Sequence, residues 1–415
     1  MTTRCPLLIV GDAPSAITGL GRITRDLAVN IHERLSDIFD CATMGYGGTG
    51  DRSLPFPQYT MEGMKDWFLP TLTDVWKNFA GDRKGVVLTI WDASRLLWFA
   101  RPDNPRVSPD KEMRDWLLTK PFEKWGYFPM DALGPNGRLS YPLYQTITGY
   151  DKAIAYSEWA RRMIEKTFGH QESEKRSLVA LPHGIHTSVF RPLMVDKTKV
   201  FHERLNFPGP RIELGEQIIG IVATNQARKD YGLAIQAVAE VAKDRPVRLF
   251  IQTDVLERHW SIPTLLYDYG LMHKAIVNCA PVSDETMAML YSACDLTLGI
   301  GAGEGFGYPI FESLACGTPV VTGDYGGQAE WMDKAYLLPP KMLRLEGLYN
   351  CVRPVFEPSF WARQIKVALG VKKGTRTSLL PEGLDWSNLW PRWEAALRER
   401  HAAMRQEEKA EGVAR

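Results

Sequence analysis

The chain has 415 residues, of which 45% are hydrophobic and 24% are charged, and this composition excludes disordered, collagen-like and coiled-coil proteins. Its 50 basic and 49 acidic side chains leave a net charge of +1, so no overall charge draws the chain to nucleic acid or to a membrane. The length suits two domains of roughly 200 residues each.

The first half of the chain alternates short apolar runs with longer helical patterns. The predicted strands are Leu7–Val10, Phe39–Met44, Val86–Trp91, Lys152–Tyr156 and Leu178–Leu181. One helix is predicted from about Arg22 to Leu35. A second helix, with Ser157 as its N-cap, is predicted to run to about Phe168. Strands separated by helices predict an open, mostly parallel α/β sheet, in a first domain that spans residues 1–190.

A second set of strands follows a polar stretch with Pro192, Pro208 and Pro210, which is interpreted as a linker over residues 191–216. The predicted strands are Ile218–Ala223, Arg248–Gln252, Ala275–Asn278, Asp295–Leu298, Pro319–Thr322 and Tyr336–Leu338. They predict a second doubly wound domain over residues 217–385. A last charged helix at 386–415 is expected to pack back toward the first domain.

The expected compartment is the cytoplasm. The apolar run Met1–Val10 lacks the basic head and the small-residue cleavage site of a signal peptide. No stretch approaches the ~20 apolar residues of a transmembrane helix. The six cysteines form no Cys-x-x-Cys pair and lie among apolar neighbours, so they are interpreted as reduced core thiols.

The strongest functional signal is a loop with glycine at every second position from Gly299 to Gly307. It follows a predicted buried strand, and Pro309 stands where a helix would begin. Glycines let the backbone approach a ligand, and a helix N-terminus offers free N–H groups to an anion. Glu304 in the loop and Glu312 one turn into the helix are suited to hold hydroxyls of a sugar or ribose. A tight turn with two solvated acids is the alternative interpretation.

The segment Glu304–Glu312, followed by Ser313–Val321, resembles the E-x7-E segment of retaining glycosyltransferases of GT-B fold, family 4. Val282–Asp295 and the Gly-Gly-x-x-Glu of Gly326–Glu330 resemble the family's flanking segments, so the resemblance covers most of residues 215–340. It implies two Rossmann-like domains that face each other across a cleft, with the first domain on the acceptor side and the second binding the nucleotide sugar. It also implies that Glu312 binds the nucleotide ribose and that Glu304 lies beside the donor sugar. The expected donor-binding residues of this region are Val282, Glu304, Gly305, Phe306, Gly307 and Glu312.

Arg228 and Lys229 directly follow the predicted strand Ile218–Ala223. Two adjacent cations at the carboxyl end of a strand suit a phosphate site, because Arg makes forked contacts and Lys supplies a point charge. The resembled family has an Arg/Lys pair here on the donor diphosphate, whereas a solvated loop is the structural alternative. The expected catalytic residues are Arg228, Lys229, Glu304 and Asp92.

Three segments of the first half are further candidates. Gly19 and Gly21 lack the third glycine of a dinucleotide fingerprint and fit better the first loop of a GT-B enzyme, where they would bind the donor beside a helix that begins near Arg22. Asp92 follows a strand near the point where the resembled family often has a His, and its alternative role is a helix N-cap. His183 and His186 replace an Asn and an Asp of the family, so whether they contact ligand stays open.

The site is expected to work without a metal or a cofactor. The sequence contains no Asp-x-Asp motif and no Cys/His cluster with zinc spacing. The donor is expected to be a UDP- or GDP-sugar, and its departing diphosphate would be stabilised by Arg228, Lys229 and backbone N–H groups.

A stretch rich in aromatic and basic residues, Trp91–Phe128, bears on the acceptor. It holds eight aromatic and seven basic residues, Arg106 among them, a mixture that suits the stacking of bases or sugars. Packing in a protein core is the alternative, and six acids reduce the net charge of the stretch to +1.

The sequence therefore predicts a retaining glycosyltransferase that moves a sugar from a nucleotide sugar to a hydroxyl of a glycan, a lipid-linked glycan or a small molecule. One alternative is a viral-type DNA glycosyltransferase that acts on 5-hydroxymethylpyrimidine, with nucleic acid as acceptor, although the flat charge disfavours DNA binding. The others are an NAD-dependent oxidoreductase and a non-catalytic nucleotide-sugar-binding protein. The oligomeric state is not predicted.

Overall fold

The computed structural model describes residues 4–61, 69–104, 111–347, 350–371 and 376–413. The chain divides into two compact units. The first unit combines residues 1–183 with residues 387–415, and the second unit comprises residues 184–386. Each unit is built on a parallel sheet of its own.

The first unit contains a seven-stranded sheet in the order β3-β2-β1-β4-β5-β6-β7. Its strands are β1 Cys5–Asp12, β2 Phe39–Tyr46, β3 Gln58–Thr60, β4 Gly85–Ile90, β5 Phe122–Phe128, β6 Lys152–Ala155 and β7 Val179–Ala180. Every neighbouring pair is parallel. The continuous apolar run Leu7–Val10 is fully buried in β1, as expected for a central strand that is covered on both faces.

Seven helices connect these strands: α1 Gly19–Arg34, α2 Leu69–Ala80, α3 Leu97–Ala100, α4 Lys111–Leu118, α5 Tyr141–Ile147, α6 Glu158–Phe168 and α7 His170–Lys175. Ser157 caps α6 by accepting a hydrogen bond from the Ala160 N–H at 3.1 Å, which confirms the predicted N-cap.

The predicted start of the first helix near Arg22 is wrong. Helix α1 begins at Gly19, because Thr18 caps it by accepting a hydrogen bond from the Gly21 N–H at 2.9 Å. Gly21 is required by packing, since a Cβ there would lie 2.6 Å from the Ala16 carbonyl oxygen. Gly19 and Gly21 thus belong to the first turn of the helix and not to a free loop.

The aromatic side chains of the stretch Trp91–Phe128 lie in the core, which is one of the two interpretations that the sequence left open and disfavours the other, an acceptor surface. Seven of its eight aromatic side chains are buried and Trp116 is partly buried. The stretch ends in strand β5, which the sequence did not predict because charged residues interrupt it. Lys124 is tolerated there because its ammonium donates to the Phe99 carbonyl at 2.7 Å, and burial lowers the pKa of Lys124 to about 8. Arg106 lies outside the described residues.

The second unit contains a six-stranded parallel sheet in the order β10-β9-β8-β11-β12-β13. Its strands are β8 Gln217–Val222, β9 Val247–Gln252, β10 Ala275–Asn278, β11 Leu296–Gly299, β12 Val320–Gly323 and β13 Leu337–Leu338. Its helices are α8 Lys197–Lys199, α9 Tyr231–Val241, α10 Ile262–Asp268, α11 Asp284–Ala293, α12 Tyr308–Ala315 and α13 Pro358–Gly370. The six predicted strands are thus present, and none of their ends differs by more than one residue.

An antiparallel hairpin that the sequence did not predict follows the second sheet. Its strands are β14 Met342–Glu346 and β15 Cys351–Val355. Three apolar side chains of β14, Met342, Leu343 and Leu345, are exposed, so the strand lacks the buried face by which a sequence pattern reveals a strand.

The last helix, α14 Trp386–Val413, belongs to the first unit from Ser387 onward. The Trp393 indole N–H donates to the Pro182 carbonyl at 2.9 Å. The Arg400 guanidinium pairs with the half-buried Glu123 of β5. No helix in the described part of the chain combines the length and the hydrophobicity that a membrane span requires.

Candidate active site

The order of the second sheet places two loops side by side. From β8 the chain runs outward through β9 to β10, and then returns to build β11, β12 and β13 on the other side of β8. In doubly wound sheets the crevice at this reversal, beyond the carboxyl ends of the strands, is where ligands bind. Here the loop after β8 carries Arg228 and Lys229, and the loop after β11 carries Glu304.

These three side chains form one charged cluster. The Glu304 Oε1 atom accepts a hydrogen bond from the Arg228 guanidinium at 3.0 Å and pairs closely with the Lys229 ammonium. Glu304 and Lys229 are each 9% exposed. Burial raises the pKa of Glu304, but the positive charges of Arg228 and Lys229 outweigh burial and lower that pKa to about 2. At neutral pH the cluster therefore holds two cations against one carboxylate.

Backbone contacts fix the two loops to each other. The Ala302 N–H donates to the Arg228 carbonyl at 2.7 Å, and the Asp230 N–H donates to the Ile300 carbonyl at 2.9 Å. Gly301 is needed for the cluster, because a Cβ at this position would lie 2.2 Å from the Glu304 Oε1 atom. The spaced glycines thus allow the Glu304 carboxylate to lie against the backbone of its own loop, in addition to the approach of any ligand.

The glycine loop ends at the N-terminus of α12. Gly303 and Gly307 have φ values of +116° and +90°, a backbone region that other residues rarely adopt. Gly307 is the N-cap of α12, and Pro309 lies in the first turn, close to its predicted position. Pro309 has no N–H, and the Ile310 N–H donates to the Gly307 carbonyl at 3.0 Å, so what the start of α12 offers an anion is mainly the positive end of the helix dipole. Phe306 anchors the loop, since its ring is 3% exposed and packs against Phe311 at 4.8 Å.

Glu312 lies inside α12 and is 4% exposed. Its Oε2 atom accepts a hydrogen bond from the Tyr291 hydroxyl of α11 at 2.9 Å. The sequence singled out Glu312 but not Tyr291, because a Tyr in an apolar helix pattern gives no signal of its polar partner.

Two more groups that hold the glycine loop were missed by sequence reasoning. The Arg353 guanidinium of β15 donates to the Ala302 carbonyl at 3.1 Å. The Gly327 N–H donates to the Glu304 carbonyl at 2.8 Å, which gives the Gly-Gly-x-x-Glu segment a structural role. Arg353 could not be found from the sequence, since the hairpin that carries it was not predicted.

Val282 lies just before Ser283, the N-cap of α11. Its side chain is partly buried against a small apolar cluster that includes Phe201 and Phe250. Gly305 lies between Glu304 and the buried Phe306, within the same loop.

The first sheet has an equivalent reversal between β1 and β4. Asp12 ends β1, and its two carboxylate oxygens accept hydrogen bonds from the Thr18 hydroxyl at 2.6 Å and from the Trp91 indole N–H at 2.9 Å. Sequence reasoning passed over Asp12, although a charged residue directly after a buried strand was a usable signal.

Asp92, after β4, caps the short turn Ala93–Arg95, and its carboxylate accepts from the Ser94 N–H at 3.4 Å. This contact is the structural role that the sequence left open for Asp92. Partial burial raises the pKa of Asp92, and the nearby Asp131 carboxylate raises it further.

The two histidines of the Pro182–Pro192 segment differ in their surroundings. The His183 Nδ1 atom lies 2.9 Å from the Tyr127 hydroxyl, which itself donates to the Leu181 carbonyl at 2.8 Å. His183 therefore donates through Nδ1, since the single Tyr127 proton is already used. Complete burial lowers the pKa of His183 well below its usual value, so the ring is neutral. His186 is half-buried, and its ring lies 6.4 Å from that of Trp386.

Comparison with known proteins shows that part of the chain is similar to a glycosyltransferase family. Residues 216–350 match the family model described as "Glycosyl transferases group 1". A D-inositol 3-phosphate glycosyltransferase of Gordonia bronchialis is 31% identical over 137 residues, which cover 29% of this chain and 30% of that protein. An MMP alpha-(1->4)-mannosyltransferase of Mycolicibacterium hassiacum is 24% identical over 217 residues, covering 46% of this chain and 51% of that protein. These alignments span between about a third and a half of the curated relatives' length.

Solved structures agree over nearly the whole chain. Anabaena HepE in complex with UDP and glucose has a TM-score of 0.69 at 15% identity and covers 95% of this chain and 100% of that one. Sucrose-phosphate synthase from Thermosynechococcus elongatus has a TM-score of 0.61 at 16% identity, covering 98% and 100%. The fold of two parallel-sheet α/β domains matches GT-B glycosyltransferase structures, and the predicted fold class is confirmed.

Proposed function

We propose that the protein is a retaining glycosyltransferase that transfers a sugar from a nucleotide-sugar donor to a hydroxyl acceptor. The observation that carries the proposal is the cluster of Arg228, Lys229 and Glu304 at the reversal point of the second sheet. The match of residues 216–350 to the glycosyltransferase group 1 model supports it. Retention at the anomeric carbon rests on the resemblance of the Glu304–Glu312 segment.

The charge of the cluster suits a diphosphate. The three side chains carry two positive charges and one negative charge, a balance that suits an arriving anion. Arg228 is the more exposed of the two cations, with 30% of its side chain reached by solvent against 11% for Lys229. We therefore assign Arg228 to the direct forked contact with the diphosphate and Lys229 to the fixed charge behind it.

The same groups act on the departing group. Negative charge grows on the diphosphate as the glycosidic bond breaks, so cations that are already in position stabilise the transition state more than the ground state. The positive end of the α12 dipole adds to this effect. Because Arg228 and Lys229 would themselves neutralise the charge of the departing diphosphate, metal-independent transfer is part of the proposal. Glu304 orients the two cations beside the donor sugar, and Glu312, held by Tyr291, binds the ribose.

The proposed donor is a UDP-sugar, because the similar HepE structure contains UDP and glucose. The acceptor is proposed as a polyol or glycan hydroxyl, since one relative is named D-inositol 3-phosphate glycosyltransferase and another MMP alpha-(1->4)-mannosyltransferase. A DNA acceptor is disfavoured because the aromatic stretch that suggested it is core. The family match disfavours an oxidoreductase. The six cysteines, all in the described part of the chain, form no disulfide, in keeping with the proposed cytoplasmic location.

Mass spectrometry of reaction products tests the proposal. The protein is incubated with UDP-, GDP- and ADP-sugars and with inositol phosphates, glycans and hydroxymethylated DNA as acceptors. We expect an acceptor mass increased by one sugar residue, and we expect it to disappear in Arg228→Gln. Arg258→Gln is the matched control, because Arg258 forms an exposed pair with Asp254 in the same unit. Nucleotide-sugar binding without any product across the panel would favour a non-catalytic binding protein, and a melting temperature raised only by NAD(H) would favour the oxidoreductase.

A further inference from the structure

The hairpin of β14 and β15 carries an exposed strand edge. The two strands form a sheet of their own, in which β15 is the one neighbour of β14 in the described part of the chain. Three apolar side chains of β14 are open to solvent, since Met342, Leu343 and Leu345 are 54%, 49% and 57% exposed. An edge strand that is both apolar and uncovered is a template for pairing with another chain, and proteins usually protect such an edge.

The outer edge of β14 carries the backbone groups of Leu343 and Leu345. Pro354 lies opposite Leu343 and has no N–H. Val352 lies opposite Leu345, and its carbonyl accepts a hydrogen bond from the Tyr325 hydroxyl, outside the hairpin. These two pairs are therefore the ones that exchange no backbone hydrogen bonds. In an antiparallel pair, such residues direct their N–H and C=O groups away from the partner strand.

The charges on β14 indicate which strand fits this edge. Arg344 and Glu346 alternate with the two leucines, so they lie on the opposite face of the hairpin. They form an ion pair with each other, and their side chains are 62% and 37% exposed. A strand with one cation and one anion two residues apart is complementary to an antiparallel copy of itself, because each charge then lies opposite a charge of the other sign.

We propose that this edge pairs with β14 of a second copy of the chain, antiparallel and about a two-fold axis. The complementary register places Leu345 opposite Leu345 of the second copy, and Arg344 opposite Glu346 of the second copy on both sides of the axis. The leucine pair exchanges two backbone hydrogen bonds and removes apolar surface from water. An axis centred on Arg344 would instead place this residue opposite itself, and like charges in that position are destabilising.

The pairing joins the two hairpins into one four-stranded sheet that both copies share. The paired edge contains none of the residues of the cluster formed by Arg228, Lys229 and Glu304. The proposal therefore does not depend on glycosyl transfer, and its test needs no substrate.

The molar mass of the full chain in solution tests the proposal. Sedimentation equilibrium of the native chain over a range of concentrations should show a reversible dimer. Arg344→Glu and Glu346→Arg should each weaken the dimer about tenfold or more, because each variant places two pairs of like charges across the axis. An equimolar mixture of the two variants should restore dimerisation, since each charge then lies opposite one of the other sign. Arg258→Glu should dimerise as the native chain does, because Arg258 is an exposed, ion-paired arginine outside the hairpin.

Three results would overturn the proposal. One is a native chain that is monomeric at every concentration. Another is a dimer that the two charge variants leave unchanged, because the interface would then lie elsewhere. The third is a mixture of the two variants that dimerises no better than either alone, although their melting temperatures equal that of the native chain. A monomeric native chain that floats with phosphatidylcholine vesicles, where Leu345→Gln does not, would assign the edge to a lipid surface instead.

Discussion

The two sheets place charged residues at the same topological position but with opposite electrostatics. At the reversal of the second sheet, the Glu304 carboxylate is held by two cations. At the reversal of the first sheet, the Asp12 carboxylate is held by two neutral donors, Thr18 and Trp91, and Asp92 lies close enough to Asp131 to feel its charge. The reversal of the second sheet therefore suits an anion, and the reversal of the first sheet suits hydroxyl groups. The comparison teaches that topology fixes where a ligand binds, whereas the few side chains at the strand ends fix its chemistry.

The largest effect is expected from Arg228→Gln. Loss of one preorganised cation on the departing diphosphate should reduce transfer about 10²–10³-fold. Stability should change little, because Lys229 still pairs with Glu304. Initial rates and melting temperatures of this variant and of Arg258→Gln check the prediction. A near-native transfer rate would show that Arg228 does not act on the departing diphosphate.

The double loss of Arg228 and Lys229 is a poorer test, because it leaves Glu304 buried without its cations. Breaking a buried ion pair in this way costs about 3–5 kcal/mol. A fall in activity would then be indistinguishable from a fall in folded protein.

Glu304→Gln should change how stability depends on pH. The pKa of Glu304 is about 2 in the folded protein against an ordinary value of 4.5, so its charged form contributes about 3 kcal/mol above pH 4.5. This contribution is lost as the pH falls from 4.5 toward 2. Melting midpoints of the native chain should therefore fall more steeply over this range than those of Glu304→Gln. Parallel curves for the two proteins would show that the cluster does not lower the pKa of Glu304.

Tyr291→Phe should weaken nucleotide binding by about tenfold. The change removes the hydroxyl that orients the buried Glu312, and a hydrogen bond to a charged group is worth about 1.5–3 kcal/mol. Calorimetry with UDP checks it, with Tyr267→Phe as control because Tyr267 is 77% exposed. Equal UDP affinities of the two variants would show that Glu312 does not bind the ribose.

The smallest effect is expected in the first unit. Asp12→Asn turns one hydrogen-bond acceptor into a donor that faces Thr18 or Trp91. We expect the acceptor KM to rise several-fold, with no change in UDP affinity. A change in UDP affinity alone would assign Asp12 to the donor and break the comparison between the two sheets.

The sequence was sufficient for the parallel sheets and for much of the second loop system. Continuous apolar runs such as Ile218–Val222 predict buried strands, and the spacing of Gly299–Gly307 predicts close backbone approach. The sequence could not show that Glu304 pairs with Arg228 and Lys229, because the partners are about 75 residues apart. It missed β5, since Lys124 finds its partner, the Phe99 carbonyl, only in the folded chain. It missed Arg353 because the hairpin that carries this residue was not predicted. The apolar side chains of the first hairpin strand, β14, are exposed and pack in no core.

The central claim is that the cluster of Arg228, Lys229 and Glu304 receives the donor diphosphate. A crystal structure of the native chain with UDP tests it most directly. We predict diphosphate oxygens within hydrogen-bond distance of the Arg228 guanidinium, on the side of the first N–H groups of α12, and ribose hydroxyls on Glu312. UDP bound elsewhere on the chain, with the cluster unchanged and reached only by solvent, would contradict the account.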